Sequence, residues 1–366
     1  MKIGEICKYA PKSSIKAGQS VPDGKYMFFT SSAEENKRFN EYQQDGEGII
    51  MGTGGNATLH YYNGKYAVST DCVVLIANQN IKCKYLYYFF KSNMPLLEAG
   101  FKGAGLRHTN KNYISNLEFG EIPPLEIQNA VIKLLDLVES IIQKRQQQLI
   151  ELDFACKARF VEMFVDADSA KEWPITTIKD VSLEMRTGPF GSSLHHDEFV
   201  DEGVFVLGID NAVENKFSYN RMRFITEAKY QQLKRYTVKP GDVIITIMGT
   251  LGRTAVIPEN MPKAINTKHL ACITLDKERM NPYFLAFAFH AHPSIQVQLR
   301  TQSKGSIMDG LNLTIIKKLK VALPPIDLQE KFVAYSAQID KTKAVVQKAL
   351  DEAQLLFDSL MQQYFG

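Results

Sequence analysis

The stretch IPPLEIQ at residues 122–128 recurs as LPPIDLQ at residues 323–329. The two copies lie 201 positions apart, and this offset continues without a gap to Phe164 and Phe365, with 7 of the 43 paired positions identical. A repeat on this scale indicates that one structural plan is used twice.

Earlier segments match in the same order with slowly drifting offsets, which indicates a duplication that later acquired small insertions between its elements. The paired segments are residues 3–6 with 178–181, 13–15 with 192–194, 67–70 with 264–267, 85–89 with 283–287, and 102–103 with 304–305.

Each Pro-Pro pair predicts the start of a long helix, because the fixed φ of proline and its missing N–H suit a first turn. Apolar residues then recur at heptad-like spacing for about 40 residues, which is typical of a coiled-coil seam. Each helix would be roughly 60 Å long. The predicted seam comprises Val131, Leu135, Val138, Ile142, Leu149 and Leu152 in the first helix, and Phe332, Ile339, Val346, Leu350, Leu356 and Leu360 in the second.

The predicted fold class is α+β, with two mixed α/β domains related by a pseudo-two-fold axis and separated by an antiparallel coiled coil of two long helices. Short β-branched and aromatic runs predict strands at residues 26–29, 73–76, 204–207 and 243–247, and short helices are expected at about 85–92 and 283–290. The predicted boundaries are 1–121 and 173–322 for the two domains, with 122–168 and 323–366 for the helices.

Charge is distributed unevenly along the 366 residues, although the net charge is only +3. The two predicted domains carry net charges of +3 and +5, and the two helical segments carry −3 and −2. A surface that binds phosphates needs local positive potential, so the domains are the expected nucleic-acid-binding parts.

The sequence predicts a cytoplasmic protein with reduced thiols. Its five cysteines are scattered, no apolar run reaches about 20 residues, and the chain shows no leader pattern.

No catalytic constellation is evident in the sequence. It contains neither a dinucleotide-binding glycine fingerprint nor a phosphate-binding loop. The segment NPYF at residues 281–284 lacks the second proline of an adenine-methyltransferase loop and is better interpreted as a helix start. The cluster HHDE at residues 195–198 predicts a solvated or DNA-facing loop, because consecutive side chains rarely converge on one ion. The chain is therefore predicted to have no catalytic residue, no metal and no cofactor of its own.

The whole chain resembles the specificity subunits of type I restriction–modification systems. The resemblance rests on the repeated domain-plus-helix plan, the two Pro-Pro helix entries, GPFGSSL at residues 188–194, KPGDVI at 239–244, and WP at 173–174 followed by IKDV at 178–181. The first domain departs from this pattern with APKSS at residues 10–14, which limits transfer of individual residues between the domains.

The resemblance implies a non-catalytic subunit whose two target-recognition domains each read one half of a bipartite, asymmetric double-stranded DNA target in the major groove. The helix pair would set the spacing between the half-sites and dock two modification (methyltransferase) subunits. S-adenosylmethionine would be bound by those subunits, restriction (translocase and endonuclease) subunits would complete the enzyme, and no membrane is involved.

Basic or amide residues beside glycine-rich loops are the candidate DNA contacts, because the backbone can approach phosphate there. They are Asn56, Lys65, Lys102, Arg107 and His108 in the first domain, and Arg186, Ser192, Ser193, His195, Arg253, Lys268 and Lys304 in the second.

Three alternatives stay open at this point. They are a specificity subunit of another methyltransferase-based defence system, a non-catalytic coiled-coil adaptor, and a two-headed enzyme. Duplicated chemistry should leave matching polar residues in both halves, but the matched positions are mainly apolar, small or turn-forming, which argues against the enzyme.

Overall fold

A computed structural model describes residues 1–103, 107–189, 193–303 and 311–366, apart from the side chains of Ser169, Lys171, Gln302 and Ser303. The chain divides into two compact units. Unit 1 comprises Met1–Gln148 and Val346–Gly366, and unit 2 comprises Leu149–Val345. Each unit contains one half of each long helix.

The elements of the N-terminal part are α1 (Ile3–Ile6), β1 (Cys7–Tyr9), β2 (Tyr26–Phe29), β3 (Arg38–Phe39), β4 (Gln44–Gly52), β5 (Leu59–Val68), β6 (Cys72–Ala77), α2 (Cys83–Ser92), α3 (Met94–Glu98) and α4 (Lys111–Ser115). The first long helix, α5 (Leu125–Phe164), follows.

The second part contains β7 (Ile175–Thr177), β8 (Ser182–Thr187), β9 (Val204–Leu207), β10 (Phe224–Ile225), α6 (Glu227–Leu233), β11 (Val243–Thr246), β12 (Thr254–Val256), β13 (Ala264–Asn266), β14 (Leu270–Leu275), α7 (Pro282–Ala291), α8 (Pro293–Ser303), α9 (Leu313–Lys318) and β15 (Lys320–Ala322). The second long helix, α10 (Ile326–Phe365), ends the chain. The predicted α+β fold with two long helices is confirmed.

Both units use the same strand order. Unit 1 has one six-stranded sheet in the order β1-β6-β4-β5-β2-β3, and unit 2 has the matching orders β8-β14-β11-β12 and β13-β9-β10. The pairs β2–β5 and β9–β13 are parallel, and the other pairs in these sheets are antiparallel. Residues 257–263 separate β12 from β13 where β5 is continuous, and they include Pro258 and Pro262, which have no N–H for a sheet ladder. The duplication is therefore visible in the topology.

A buried glutamine attaches the start of α5 to the rest of unit 1. Gln128 is 0% exposed. The backbone N–H of Lys82, just before α2, donates to Gln128 Oε1 (2.7 Å). The amide nitrogen of Gln128 donates to the carbonyls of Asn80 (3.1 Å) and Pro123 (2.7 Å). One side chain thereby satisfies a donor and two acceptors in the loop before α2 and the turn before α5.

Unit 2 repeats this arrangement with Gln329, which is also 0% exposed. The N–H of Asn281 donates to Gln329 Oε1 (2.8 Å), and the amide nitrogen donates to the carbonyls of Arg279 (3.0 Å) and Pro324 (2.8 Å). The last residue of each repeated stretch thus makes the same three hydrogen bonds in both halves.

These hydrogen bonds correct two of the sequence pairings by one residue. Lys82 and Asn281 occupy equivalent positions, so α2 and α7 align at an offset of 199 rather than 198. Ser69 and Thr267 are also equivalent, because each accepts from the N–H three residues later (3.1 Å in both), which gives an offset of 198 rather than 197. Runs of apolar residues tolerate a one-residue slip in alignment, whereas hydrogen bonds do not.

The long helices pack antiparallel within unit 2. Asp153 pairs with Lys343 (2.6 Å), and further along the helices Phe160 contacts Phe332 with 5.2 Å between ring centroids. In unit 1, the buried α5 residues Val131, Leu135, Val138 and Ile142 share one core cluster with Phe357, Met361 and Phe365 of α10.

The prediction that Leu356 belongs to the coiled-coil seam is wrong, because Leu356 is 51% exposed and the neighbouring Phe357 is buried instead. Three apolar residues stand together at 355–357, so spacing alone did not choose among them. Of the other predicted seam residues, Phe332 and Val346 are also buried, and Leu149, Leu152, Ile339, Leu350 and Leu360 are half-buried.

A buried ion pair stabilises the main sheet of unit 2. Arg186 on β8 donates to Asp242 Oδ2 (2.7 Å), and these side chains are 10% and 1% exposed. Arg186 also donates to the carbonyl of Thr237 (2.7 Å), and Thr274 donates to the other Asp242 oxygen (2.6 Å). Burial raises the pKa of the Cys272 thiol well above its usual value, so this thiol stays protonated and donates to Asp242 (3.2 Å).

Replacing either buried glutamine by leucine should destabilise its own unit by about 1–3 kcal/mol, because three backbone groups lose their partner. Hydrogen exchange of the full chain should show faster exchange in α2 and the start of α5 for Gln128→Leu, and in α7 and the start of α10 for Gln329→Leu. Gln143→Leu, at an exposed position of α5, is the matched control and should leave exchange unchanged. Unchanged exchange in both glutamine variants would contradict the assigned role.

Arg186→Ala should destabilise unit 2 by about 3–5 kcal/mol, because it leaves the Asp242 carboxylate buried without its cation. Trp173, the single tryptophan, lies in unit 2 against Phe164, so its fluorescence during urea denaturation monitors this unit. Lys268→Ala removes an exposed cation of the same unit and should change its stability by less than about 0.5 kcal/mol. Equal stability of the two variants would show that the ion pair is not needed for folding.

Candidate nucleic-acid interface

In unit 1, backbone hydrogen bonds bring several strand ends and loops to one edge. The N–H of Thr53, after β4, donates to the carbonyl of Asp71, before β6 (2.8 Å). The N–H of Ser69, after β5, donates to the carbonyl of Phe29 at the end of β2 (2.8 Å). The N–H of Thr109 donates to the carbonyl of Thr53 (3.0 Å). We call residues 29–31, 53–58, 69–71, 102 and 107–109 the loop edge of unit 1.

Four of the five candidates of the first domain come together at this loop edge. Arg107 donates to Asn56 Oδ1 (3.2 Å), and the N–H of Gly55 donates to the Arg107 carbonyl (2.9 Å). Lys102 and His108 exchange backbone hydrogen bonds (3.0 Å each). Asn56, Lys102, Arg107 and His108 are all exposed.

Lys65 lies apart from this group. It is on β5, pairs with Asp45 (3.9 Å) and lies 4.7 Å from the centre of the Tyr42 ring. The structure therefore does not bring Lys65 to the glycine-rich loop.

The same hydrogen bonds form an equivalent edge in unit 2. The N–H of Thr267 donates to the carbonyl of Leu207 at the end of β9 (3.1 Å), and the N–H of Ile247 donates to the carbonyl of His269 (2.9 Å). The N–H of Gly188 donates to the carbonyl of Thr267 (3.2 Å), and a Cβ on Gly188 would lie 2.2 Å from that residue's backbone, so only glycine fits there. We call residues 188–189, 207–210, 222–223, 247–253 and 267–269 the loop edge of unit 2.

A basic group lies on this edge. Lys268 is exposed, and His269 and Arg223 are half-buried. Arg223 pairs with Asp210 (2.8 Å). Burial, followed by the positive charges of Lys268 and Arg223, lowers the pKa of His269 below its ordinary value, which favours the neutral imidazole. Sequence reasoning found Lys268 and missed Arg223 and His269. The basic run at residues 221–223 and the neighbouring pair Lys268-His269 are the signals that could have found them.

Of the remaining described candidates of unit 2, only Arg253 falls within this loop edge. Arg253 is exposed at the end of the glycine-rich loop, and its charge acts on His290 of α7, where burial lowers the histidine pKa to about 4. Ser193 is half-buried, and His195 is exposed before a short 3-10 helix. Ser192 and Lys304 lie outside the described residues.

The assignment of Arg186 as a DNA contact is wrong for this structure. Its guanidinium is committed to Asp242 and to the Thr237 carbonyl inside unit 2, so it does not present donors at the surface. A basic residue in a strand next to a glycine-rich loop looks the same in sequence whether its partner is a phosphate or a buried carboxylate.

Polar anchors that sequence reasoning missed hold the loops of both edges in place. In unit 1, buried His60 bonds to Glu35 (2.8 Å) and to the Ser32 carbonyl (2.9 Å). In unit 2, buried Asn211 accepts from the Gly208 N–H (2.8 Å) and donates to the Ser218 carbonyl (2.7 Å). Anchored loops present their exposed side chains with little ordering cost on binding.

Other motifs have structural roles. Asn281 caps α7 by accepting from the N–H groups of Tyr283 and Phe284, so the predicted helix start is confirmed. All five cysteines are buried and free. Among the described residues, no three histidine, cysteine or acidic side chains are grouped to hold a metal ion, and no helix is long and apolar enough to span a membrane.

The exposed side chains of both edges suit nucleic acid. Arginine and lysine bind phosphate oxygens and the acceptor edge of guanine, and asparagine can donate and accept at adenine. The two edges share a backbone frame and carry different side chains. This arrangement can present two different sets of hydrogen-bonding groups to DNA.

The family model for the type I restriction modification DNA specificity domain matches residues 1–152 and 171–354. The MjaVIII type I restriction enzyme specificity subunit of Methanocaldococcus jannaschii is 20% identical over 323 residues, which cover 83% of this chain and 74% of that protein. The EcoBI specificity subunit of Escherichia coli is 21% identical over 342 residues, covering 86% and 71%.

Solved structures show the same fold. The S subunit of a type I restriction-modification system from M. genitalium superposes with a TM-score of 0.70 at 16% identity, covering 100% of this chain and 95% of that one. A chain from a structural study of type I system assembly and conformational transition gives a TM-score of 0.58 at 16% identity, covering 100% and 96%. With the family model matching both halves, the chain belongs to the type I restriction–modification DNA specificity family.

Proposed function

We propose that this chain is the DNA-recognition subunit of a type I restriction–modification enzyme. Each unit reads one half of a bipartite, asymmetric target in the major groove, and the long helices form the spacer. The chain itself catalyses nothing. Methyl transfer takes place on partner methyltransferase subunits in the cytoplasm, and S-adenosylmethionine is bound there rather than on this chain. Restriction subunits join the complex in cleavage.

The observation that carries this proposal is the duplicated loop edge with divergent side chains. Thr53–Asp71 and Ile247–His269 are equivalent hydrogen bonds, yet at the matched positions beside them unit 1 has Gly54 and Thr70 whereas unit 2 has Met248 and Lys268. A repeated frame with different exposed groups is what recognition of two unlike half-sites requires. An adaptor would have no need for basic groups at both edges.

Exposed apolar residues at matched positions of the long helices support the docking of two copies of one partner. Phe154 in unit 2 is 73% exposed, and Leu355 in unit 1 is 72% exposed. They are equivalent in the repeat, 201 positions apart. The repetition of so exposed an apolar side chain at matched positions makes these two residues candidate contacts, and one in each unit fits one methyltransferase subunit per unit.

Deleting this gene should abolish methylation at one asymmetric two-part motif in the host genome, because the methyltransferase then lacks its target reader. Single-molecule methylome sequencing with and without the gene measures this directly. Restoring the gene on a plasmid is the control and should restore the motif. An unchanged methylome, with the neighbouring methyltransferase expressed, would overturn the proposed function.

Phe154→Asp and Leu355→Asp should each remove one of the two methyltransferase subunits, because a carboxylate in an apolar interface cannot be solvated. Native mass spectrometry of the assembled complex should then show one methyltransferase subunit per chain instead of two. Leu183→Asp is the matched control, since Leu183 is also 73% exposed but lies on β8. Two bound subunits in both helix variants would contradict the assigned docking sites.

A further inference from the structure

The loop edge of unit 2 carries exposed apolar side chains among its basic ones. Met248 is 44% exposed and Met222 is 55% exposed. Their chain neighbours meet the same segment, since a Cβ on Gly249 would lie 3.4 Å from Ile209 Cδ1 and a Cβ on Gly208 would lie 2.6 Å from the Arg223 guanidinium. We call Met222 and Met248 the methionine pair.

The loop that carries Met248 is constrained. The N–H groups of Gly252 and Arg253 donate to the Thr246 carbonyl (2.9 Å) and hydroxyl (3.0 Å). Gly249 and Gly252 have φ values of +71° and +74°, which favour glycine. The exposure of Met248 is therefore a property of a closed loop with internal hydrogen bonds, and its flexible, polarisable side chain projects from a fixed backbone.

Unit 1 has a different group at the matched position. Because Thr53 is equivalent to Ile247, Gly54 is the residue of unit 1 that corresponds to Met248. The His108 ring lies 3.1 Å from where a Cβ on Gly54 would be. At this position one edge thus presents the His108 imidazole, and the other presents the Met248 thioether.

The surroundings of the methionine pair point to DNA rather than to another protein. Lys268 and Arg253, both exposed, give this edge its positive charge. An apolar group among cations that can bind phosphates lies where it can reach the apolar part of a base edge. In the major groove that part is the C5-methyl group of thymine.

We propose that unit 2 reads thymine through the methionine pair, so that the half-site bound by unit 2 contains at least one thymine whose C5-methyl packs on Met248 or Met222. This inference rests on the proposed function and adds the base class that one unit recognises. The cations of the edge bind DNA phosphates and position the unit on the duplex, and the thioethers discriminate between bases.

The test replaces thymine by deoxyuridine, which lacks only the methyl group. The chain is assembled with its methyltransferase subunits, and its Kd is measured by fluorescence anisotropy on duplexes of the motif found by methylome sequencing. Each thymine of both half-sites is replaced in turn. Loss of one contacted methyl should weaken binding about fourfold, and the effect should be confined to one half-site.

The double variant M222A/M248A should bind thymine and deoxyuridine duplexes equally, and the single variants assign each methyl group to one side chain. L183A, which shortens an exposed apolar residue elsewhere in unit 2, should keep the full discrimination. Sequence-specific binding without any effect of deoxyuridine overturns the methionine proposal alone, as does a deoxyuridine effect that persists in the double variant. Equal binding to all duplexes overturns the proposed function together with it.

Discussion

The structure depends on a buried amide at the start of each long helix. Where a helix begins against a folded domain, the turn before it and the neighbouring loop have backbone groups that water cannot reach, and these groups need partners. Gln128 and Gln329 supply them from inside the helix, and each joins the helix start to the loop before a short packing helix. Because the hydrogen bonds of this glutamine are the same in both halves, the domain cores could diverge without changing how each long helix begins.

The packing of the short helix against the long helices shows how far that divergence has gone. In unit 1 the short helix α2 is held to α5 by polar contacts, with Tyr88 and Lys84 bound to Asp136 and Lys91 bound to Glu139. In unit 2 the corresponding helix α7 packs through rings, with Phe287 against Phe160 and Phe332. Both sets of contacts hold the short helix against a long helix, in unit 1 with charge-assisted hydrogen bonds and in unit 2 with buried aromatic rings. The loop edges follow the same rule, since a shared set of backbone hydrogen bonds carries unlike exposed side chains.

The candidate site was only partly predictable from the sequence. Asn56, Lys102, Arg107 and His108 were all chosen because they stand near glycine-rich loops, and the fold brings them together. Arg186 was chosen for the same reason, but its partner is Asp242, which lies 56 residues away and is invisible to local inspection. Arg223 and His269 were missed because neither adjoins a glycine-rich loop. Proximity to glycine predicts a tight turn, whereas the partner of a charged side chain is decided by the rest of the fold.

The sequence by itself determined the duplication, the two long helices, the existence of most strands and the family, because repeats, proline pairs and apolar periodicity are local patterns. Tertiary structure decided the register between the halves, since only hydrogen bonds distinguish an offset of 199 from 198. It also decided that Phe357 rather than Leu356 is buried, because three adjacent apolar residues satisfy the spacing equally until a core selects one. Finally, it decided which charged and apolar side chains share an edge, because strand order brings together residues that are far apart in the chain.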